Sequence, residues 1–298
     1  VSDAELLDES MELDDYAFGG HVHGQTLVMI EDVTFDPPDM VVVDRPLPRA
    51  DGIRFGRDYR GGRTLTINMH VFGDHGPHGM SIVDDLAAVW TGDAARQLPG
   101  AVQTLRIRYA GRTRRVYGRS RRFAPVTLRT ASSGWAPVVA DFRTVDHYVY
   151  DDNEKVNEVA IVPPSGGGLI APLVAPLTTL GVSYAPGEIV VEGTLPCFPV
   201  FVIKGPISLP TIDVIGEYRI TLATTIRYDE FVIVDSRPWS RGIRLNGLYS
   251  IAGLLTPASP RLSQVRLTPG PHEVILSGLD ETGTSSLTAA WRDVYTMF

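Results

Sequence analysis

Four side chains in the segment HVFGDHGPHG, His70, Asp74, His75 and His78, form the densest cluster of metal-ligating residue types in this 298-residue chain. Imidazole and carboxylate together can hold a divalent transition metal if a rigid scaffold aims them at one point. This segment reads as a glycine-rich loop between a strand and a helix, so a polar loop turned by its glycines is the preferred reading. HVHG sets His21 and His23 on one face of a strand, but with no third ligand close by in sequence. Adjacent acids, Asp84 with Asp85 and Asp151 with Asp152, point apart in any regular element, whereas glycoside hydrolysis needs two carboxyls facing each other across a substrate. The sequence holds no P-loop, no glycine motif for a dinucleotide, no G-x-S-x-G elbow and no cysteine cluster. No catalytic residue, cofactor or metal ligand is therefore assigned, and the expectation is a protein without turnover.

A different kind of chemistry is concentrated in RIRYAGRTRRVYGRSRRF, residues 106 to 123. It carries Arg106, Arg108, Arg112, Arg114, Arg115, Arg119, Arg121 and Arg122 and no acid. Such a run is the usual footprint of phosphate binding, yet the whole chain has a formal charge of -8. Leu105, Ile107 and Tyr109 alternate with Arg106 and Arg108, Ala110 and Gly111 supply a turn, and Val116 lies in a second strand with Gly118 as its expected bulge. The arginines are thus expected on one face of a hairpin. A contact with acidic protein surface, a merely solvated face and a nucleic-acid contact compete for them, and the protein contact is preferred because aromatic stacking partners and a net basic domain are scarce. The acidity is local: residues 1–15 hold seven acids and no base. Such a block is either a solvated, frayed end or a segment that orders against a basic surface on a neighbouring subunit.

The elements that must position these residues are mostly strands. RTLTINMHVF places Leu65, Ile67, Met69 and Val71 on one face, the period of a half-buried strand. SIVDDLAAVWTGDAARQL changes to helical spacing, with Ser81 as the expected cap and Asp84 and Asp85 in the first turn, so a helix is expected over about 81–97 before Pro99 and Gly100 stop it. The length favours two domains. Pro163, Pro164 and the glycines from Gly166 to Gly168 mark a junction between about 152 and 180. From there the short, regularly spaced strands predict a β-sandwich. The expected division is an acidic extension over 1–15, a β domain over 16–155, a linker over 156–180 and the sandwich over 181–298. No run approaches the roughly 20 apolar residues of a membrane span, and export by the general route is not expected from the acidic start. The single cysteine, Cys197, reads as a small buried hydrophobe.

Over most of its length the sequence resembles the distal tail proteins of long-tailed phages, the minor tail proteins of actinobacterial phages among them. The likeness lies in RPLPRADGIRFGRDYRGGRTLTINMHVFG, in the arginine hairpin LRIRYAGRTRRVYGRSRRF, in VADFRTVDHYVYDD, in GTLPCFPVFVIKGPISLPTI, in DEFVIVDSRPW, in LTPGPHEVILSG and in the closing AAWRDVY, taken in that order. His272 departs from it, standing where the family commonly has Asn, and the acidic stretch before Tyr16 has no counterpart. The resemblance implies a mainly β chain with one helix, its N-terminal β domain forming a homohexameric ring and its C-terminal domain a galectin-like β-sandwich. It implies a structural protein of the virion tail tip, a baseplate hub component assembled in the host cytoplasm. The implied partners are further copies of itself, the tail tube protein, the tip hub or tail-associated protein and the tape measure protein, with no membrane and nucleic acid disfavoured. On that reading the eight arginines above are a subunit or partner interface. The alternative is a carbohydrate-binding module for host attachment, in which Trp239, Trp291 and Tyr249 stack on a sugar.

Overall fold

A computed structural model describes residues 5–20, 27–127, 133–161 and 187–298. The chain divides into two compact units, Val1–Asp152 with Tyr295–Phe298, and Asn153–Val294. The fold is mainly β with one long helix.

In the first unit the strands are β1 (Ser10–Leu13), β2 (Tyr16–Gly19), β3 (Val28–Phe35), four two-residue strands β4 (Met40–Val41), β5 (Arg45–Pro46), β6 (Ile53–Arg54) and β7 (Tyr59–Arg60), then β8 (Thr64–Phe72), β9 (Gln103–Tyr109), β10 (Arg112–Pro125), β11 (Trp135–Thr144) and β12 (Val149–Asp151). The main sheet runs β2-β1-β9-β10-β11-β8-β3, with β12 also pairing β10. Alternation decides which face is core: Leu65, Ile67, Met69 and Val71 of β8 are all buried, as their spacing predicts. The helix α1 (Gly76–Thr91) lays Ile82, Val83, Leu86 and Trp90 on that same core. Trp90 meets the Phe18 ring edge-on at 6.2 Å and donates its indole N–H to the Asp141 carbonyl at 3.2 Å, so its bulk and its polar handle are both accommodated.

The helix starts earlier than its apolar period suggests. His75, not Ser81, is the N-cap, and its Nδ1 accepts from the His78 N–H at 3.2 Å. Pro77 stands at the start of the first turn, where its fixed φ suits a helix and its missing N–H costs nothing. The opening turn, Gly76-Pro77-His78-Gly79-Met80, carries no hydrophobic period and so is invisible to a pattern of that kind. Gly79 is buried against the Gly134 backbone, where a Cβ would come within 2.8 Å of the carbonyl oxygen. Asp84 and Asp85 therefore fall in mid-helix and are exposed. At Gly92 the backbone turns left-handed with φ 58°, closing α1, and α2 (Asp93–Gln97) continues as a separate short turn.

In the β9–β10 hairpin Ala110 and Gly111 both take positive φ, 50° and 73°, the primed turn that suits strand twist. Gly118 is not the bulge. It pairs in register with Gln103 on one side and Thr144 on the other, and the irregularity falls between Ser120 and Phe123. Glycine is required at 118 because a Cβ there would overlap the Arg143 carbonyl.

The second unit is a sandwich of two antiparallel sheets. One has the order β13 (Lys155–Ala160), β23 (Ser286–Trp291), β15 (Val200–Lys204), β19 (Phe231–Asp235), β20 (Gly242–Leu245), β21 (Tyr249–Ser250). The other runs β14 (Gly187–Val191), β22 (Gly270–Leu279), β16 (Ile207–Val214), β17 (Tyr218–Thr221), with β18 (Thr225–Ile226) also on β16. Phe201, Ile203, Val232, Val234 and Leu287 from the first sheet, and Ile189, Ile212, Val214, Val274 and Leu276 from the second, form the buried faces. The start of the expected linker is instead part of this sandwich: β13 pairs along its length with β23, from Lys155 opposite Trp291 to Ala160 opposite Ser286. The proline and glycine run at 163–168 lies outside the described residues. No helix among the described residues is long and apolar enough to cross a membrane.

Gly118→Val is expected to destabilise the first unit by about 2–4 kcal/mol, read as a lowered denaturant midpoint, because the close approach of β11 leaves no room for a side chain. Gly111→Ala, where nothing lies within 4 Å of the new methyl, is expected to cost about 1 kcal/mol for the positive φ alone.

Candidate functional site

The hairpin register puts two arginines directly opposite each other, Arg106 against Arg115. Like charges in that position repel unless an anion lies between them. Asp152 supplies it: its Oδ2 lies 2.7 Å from Arg106 Nη2 and its Oδ1 lies 2.6 Å from Arg115 Nη2. A second anion comes from the acidic N-terminal block. In β1, Glu12 pairs in register with Arg106, and its carboxylate oxygens accept from Arg106 Nη1 at 2.9 and 3.0 Å. Arg106, Arg115 and Glu12 are all buried, so this is a compensated two-plus-two cluster inside the unit. The carboxylate hydrogen bonds to Asp152 and Glu12 outweigh burial and raise the Arg106 pKa. Burial alone would raise the Asp152 pKa, but hydrogen bonds and charge from Arg106 and Arg115 prevail and hold it low.

The remaining arginines divide between the hairpin's two faces, because Arg114 lies opposite Ile107 and Arg112 opposite Tyr109. The single arginine face expected from sequence is thus not formed. Alternation along β9 misled because the turn changes which parity of β10 shares its face. Arg114 pairs with Asp151 and covers the Tyr295 ring at 3.8 Å. Arg108 reaches Glu5 at 2.6 Å, and the Asp8 carboxylate accepts from the Gly111 N–H at 3.1 Å at the hairpin tip. Arg119 donates to the carbonyls of Leu98 and Ala101, both at 2.8 Å, just after α2. Arg112, Arg121 and Arg122 are exposed. The described part of the acidic block is therefore held against its own chain, while Glu9 and Asp15 stay exposed. Residues 10–13 are a strand inside the main sheet, and Glu5, Asp8 and Glu12 meet the arginine hairpin of their own chain.

The other residues singled out in the sequence do not converge. His70 pairs with Glu31 at 3.0 Å on the outer face of β8, while His75 and His78 are occupied in capping α1. Among the described residues no group of three or more His, Cys, Asp or Glu side chains could hold a metal ion. His21 and His23 lie outside the described residues. Cys197 is buried, and burial pushes its thiol up to about 12. Of the three aromatic residues considered for sugar stacking, Trp291 is in the core at 6% exposure, Trp239 lies under Arg237 and Tyr249 is exposed, so they do not form one platform.

Two features carried no sequence signal strong enough to find. One is Asp146, a buried carboxylate that accepts from Tyr150 Oη at 2.8 Å and from the Tyr148 N–H at 3.0 Å. Burial raises its pKa to about 6 against those hydrogen bonds and the nearby Arg63 charge. The other is an arm. Every residue from 39 to 60 is exposed, and the segment holds only two short ribbons, β4 with β7 and β5 with β6. Val41, Val42, Val43, Ile53 and Tyr59 each stand about half exposed or more, and Phe55 is 82% exposed. A two-stranded ribbon is marginal in water by itself, and this one covers none of its apolar side chains.

No protein-family model matches this sequence, and no curated protein matches it. Solved structures do match in fold. The Dit protein of phage SPP1, described as a paradigm of the hub adsorption apparatus in phages infecting Gram-positive bacteria, aligns with a TM-score of 0.58 at 13% identity, over 96% of this chain and 98% of that one. A chain of the phage P2 baseplate in its activated conformation with calcium aligns with a TM-score of 0.51 at 11% identity, over 94% and 97%. The strontium form of that baseplate gives 0.51 at 12% identity over the same shares.

Asp152→Asn leaves two buried guanidinium groups short of a counter-charge and is expected to destabilise the first unit by about 3–5 kcal/mol in denaturant unfolding. The two carboxylates give opposite pH dependences. The depressed Asp152 pKa contributes stability above the unfolded carboxylate range that is lost as pH falls through its folded value. The raised Asp146 pKa does the reverse: its cost is full above about 6 and disappears below the unfolded value of about 4. The wild type is expected to gain on the order of 2 kcal/mol between pH 7 and pH 4.5 relative to Asp146→Asn, measured by urea unfolding across that range.

Proposed function

We propose that this chain is a distal-tail-type adaptor of a long-tailed phage. Copies of it close into a ring, six in number, through the first unit, join the tail tube to the tip hub at the virion's tail tip, and perform no turnover. The tail-associated and tape measure proteins are its further neighbours, and assembly takes place in the host cytoplasm. The observation that carries this reading is the end-to-end correspondence in fold with the SPP1 Dit protein, which spans both units and leaves almost none of either chain unmatched. The chain's own surface supports self-association. An apolar arm that covers nothing within its own subunit calls for a complementary surface elsewhere, and a copy of the same chain offers one at matched stoichiometry.

The same reading changes the role of the arginine hairpin. Arg106 and Arg115 are committed to Asp152, Arg108 and Arg114 to Glu5 and Asp151, and Arg119 to backbone carbonyls. Arg112, Arg121 and Arg122 remain as the exposed cations for contacts with neighbouring protein. Five committed arginines also weaken the case for nucleic acid, since a paired guanidinium releases no counterion on meeting phosphate. The C-terminal sandwich is proposed as galectin-like.

Light scattering and negative-stain imaging of the purified protein, alone and mixed with its tube and hub proteins, are expected to show a closed ring of six. Val43→Asp with Phe55→Asp is expected to leave the monomer's melting temperature within about 2 °C, since both side chains are exposed, while abolishing the ring. A wild-type chain that stays monomeric with and without tube and hub proteins would remove the proposal.

A further inference from the structure

The second unit carries a groove that the ring reading does not use. It lies at one end of the six-stranded sheet, where three neighbouring strands finish or begin together: Lys204 of β15 is in register with Phe231 of β19 on one side and with Ser286 of β23 on the other. The groove is open to solvent, has a volume of about 350 Å³, and is lined by Lys204, Tyr228, Asp229, Glu230, Thr284 and Ser286, together with Gly205 and Phe231. That volume is at the small end of the range for ligand sites.

Both loops that frame it are held rigidly. In the first, the Glu230 carboxylate accepts from the Arg227 N–H at 3.0 Å, the Glu230 N–H donates to the Arg227 carbonyl at 3.1 Å, and the Glu230 carbonyl accepts from the Gly205 N–H at 3.1 Å. Any side chain at Gly205 would overlap the Arg227 carbonyl, so the loop closes directly onto the β15 backbone. In the second, the Asp280 carboxylate accepts from the Thr282 N–H and the Ser285 N–H, both at 2.8 Å, and from Thr282 Oγ1 at 2.6 Å. Thr282 Oγ1 in turn lies 2.7 Å from Thr284 Oγ1 at the groove wall. The loop backbones from which these side chains project are thus fixed before a ligand arrives, which lowers the cost of ordering the site.

The chemistry of the lining selects the ligand class. One ammonium and two carboxylates leave the groove with a net charge of about -1, which disfavours phosphate, sulfate and nucleic acid. The lining sets the Tyr228 and Phe231 rings beside charged and hydroxyl groups, a mixture that suits a small amphipathic ligand better than a purely ionic one. What it offers is three ammonium N–H donors, carboxylate acceptors, hydroxyls that both donate and accept, and a flat ring, Tyr228, that is 78% exposed beside them. Vicinal hydroxyls flanked by apolar C–H faces complement that set, with the hydroxyls on Lys204, Asp229, Glu230 and Ser286 and the C–H face on the tyrosine. We propose that this groove is a binding site for a neutral saccharide of one or two sugar units, with Tyr228 as its stacking platform. The site differs from the Trp239, Trp291 and Tyr249 set considered from sequence, and it stands or falls independently of ring formation.

The test is saturation-transfer NMR on the full chain with galactose, glucose and N-acetylglucosamine, each as the free sugar and as a β-linked disaccharide, with a sulfated disaccharide as the charged comparison. At least one neutral sugar is expected to bind with a dissociation constant in the millimolar range, and the sulfated one to bind more weakly. Tyr228→Ala is expected to weaken binding roughly ten-fold or more. Asp229→Asn should also weaken it, while Tyr249→Ala, on β21 outside the groove, should not. Each of these side chains is exposed, so unchanged melting temperatures are expected to show that the variants fold. Absence of binding by every neutral sugar at millimolar concentration, or binding undiminished in Tyr228→Ala, would overturn the proposal. Loss of the ring with binding intact would leave it standing.

Discussion

Everything in the first unit's charged half depends on one carboxylate, Asp152, lying between two arginines that the hairpin register forces opposite each other. Arg106 and Arg115 cannot separate without breaking the β9–β10 ladder, and they cannot stay buried without an anion. Glu12 completes the compensation from the other side of β9, which is why a strand from the most acidic stretch of the chain forms part of the sheet. A buried cluster of this kind adds little net stability over an apolar core of equal volume, but it is costly to leave incomplete. Its physical effect is to fix register. Sliding β1 by one residue along β9 would turn Glu12 to the opposite face and strand Arg106.

That internal compensation changes what the surface has to offer. A chain of net charge -8 with eight arginines in eighteen residues looks like a molecule with a cationic ribbon for a partner. In the folded unit most of that charge is already matched within the same chain. Beside the exposed Arg112, Arg121 and Arg122, the unit leaves an apolar arm from 39 to 60, whose valines, isoleucine and phenylalanine stand exposed. Assembly driven by such an arm gains from apolar burial and needs only a few peripheral charges to set direction.

The second unit shows the opposite arrangement. Its alternating apolar residues fill the sandwich interior, and its notable surface is a groove framed by two loops tied down by Glu230 and Asp280. Rigid loops at the end of a closed sandwich are a common place for recognition, because the sheets fix the loop ends and leave the tips free to vary. Under the two proposals above, the first unit's exposed arm would serve self-association and the second unit's groove would serve a small ligand.

The alternation of Leu65, Ile67, Met69 and Val71, the Ala110-Gly111 turn and the short strands from 200 onward were legible because each depends on local geometry: strand period, positive φ and turn chemistry. The sequence by itself therefore determined the mainly β character, the presence of a long helix and the hairpin that carries the arginines. It misplaced the helix start because the stretch from Gly76 to Met80 carries no hydrophobic period, Gly79 packing by its backbone instead, and it took Gly118 for a bulge when the cause is a strand passing close by. Which arginines are spent and which are free was decided only in three dimensions, since Glu12 and Asp152 lie 94 and 46 residues from Arg106. The arm and the groove were decided there too. Exposure is a property of what fails to pack, and a groove joins residues from three strands, so neither leaves a periodic trace along the chain.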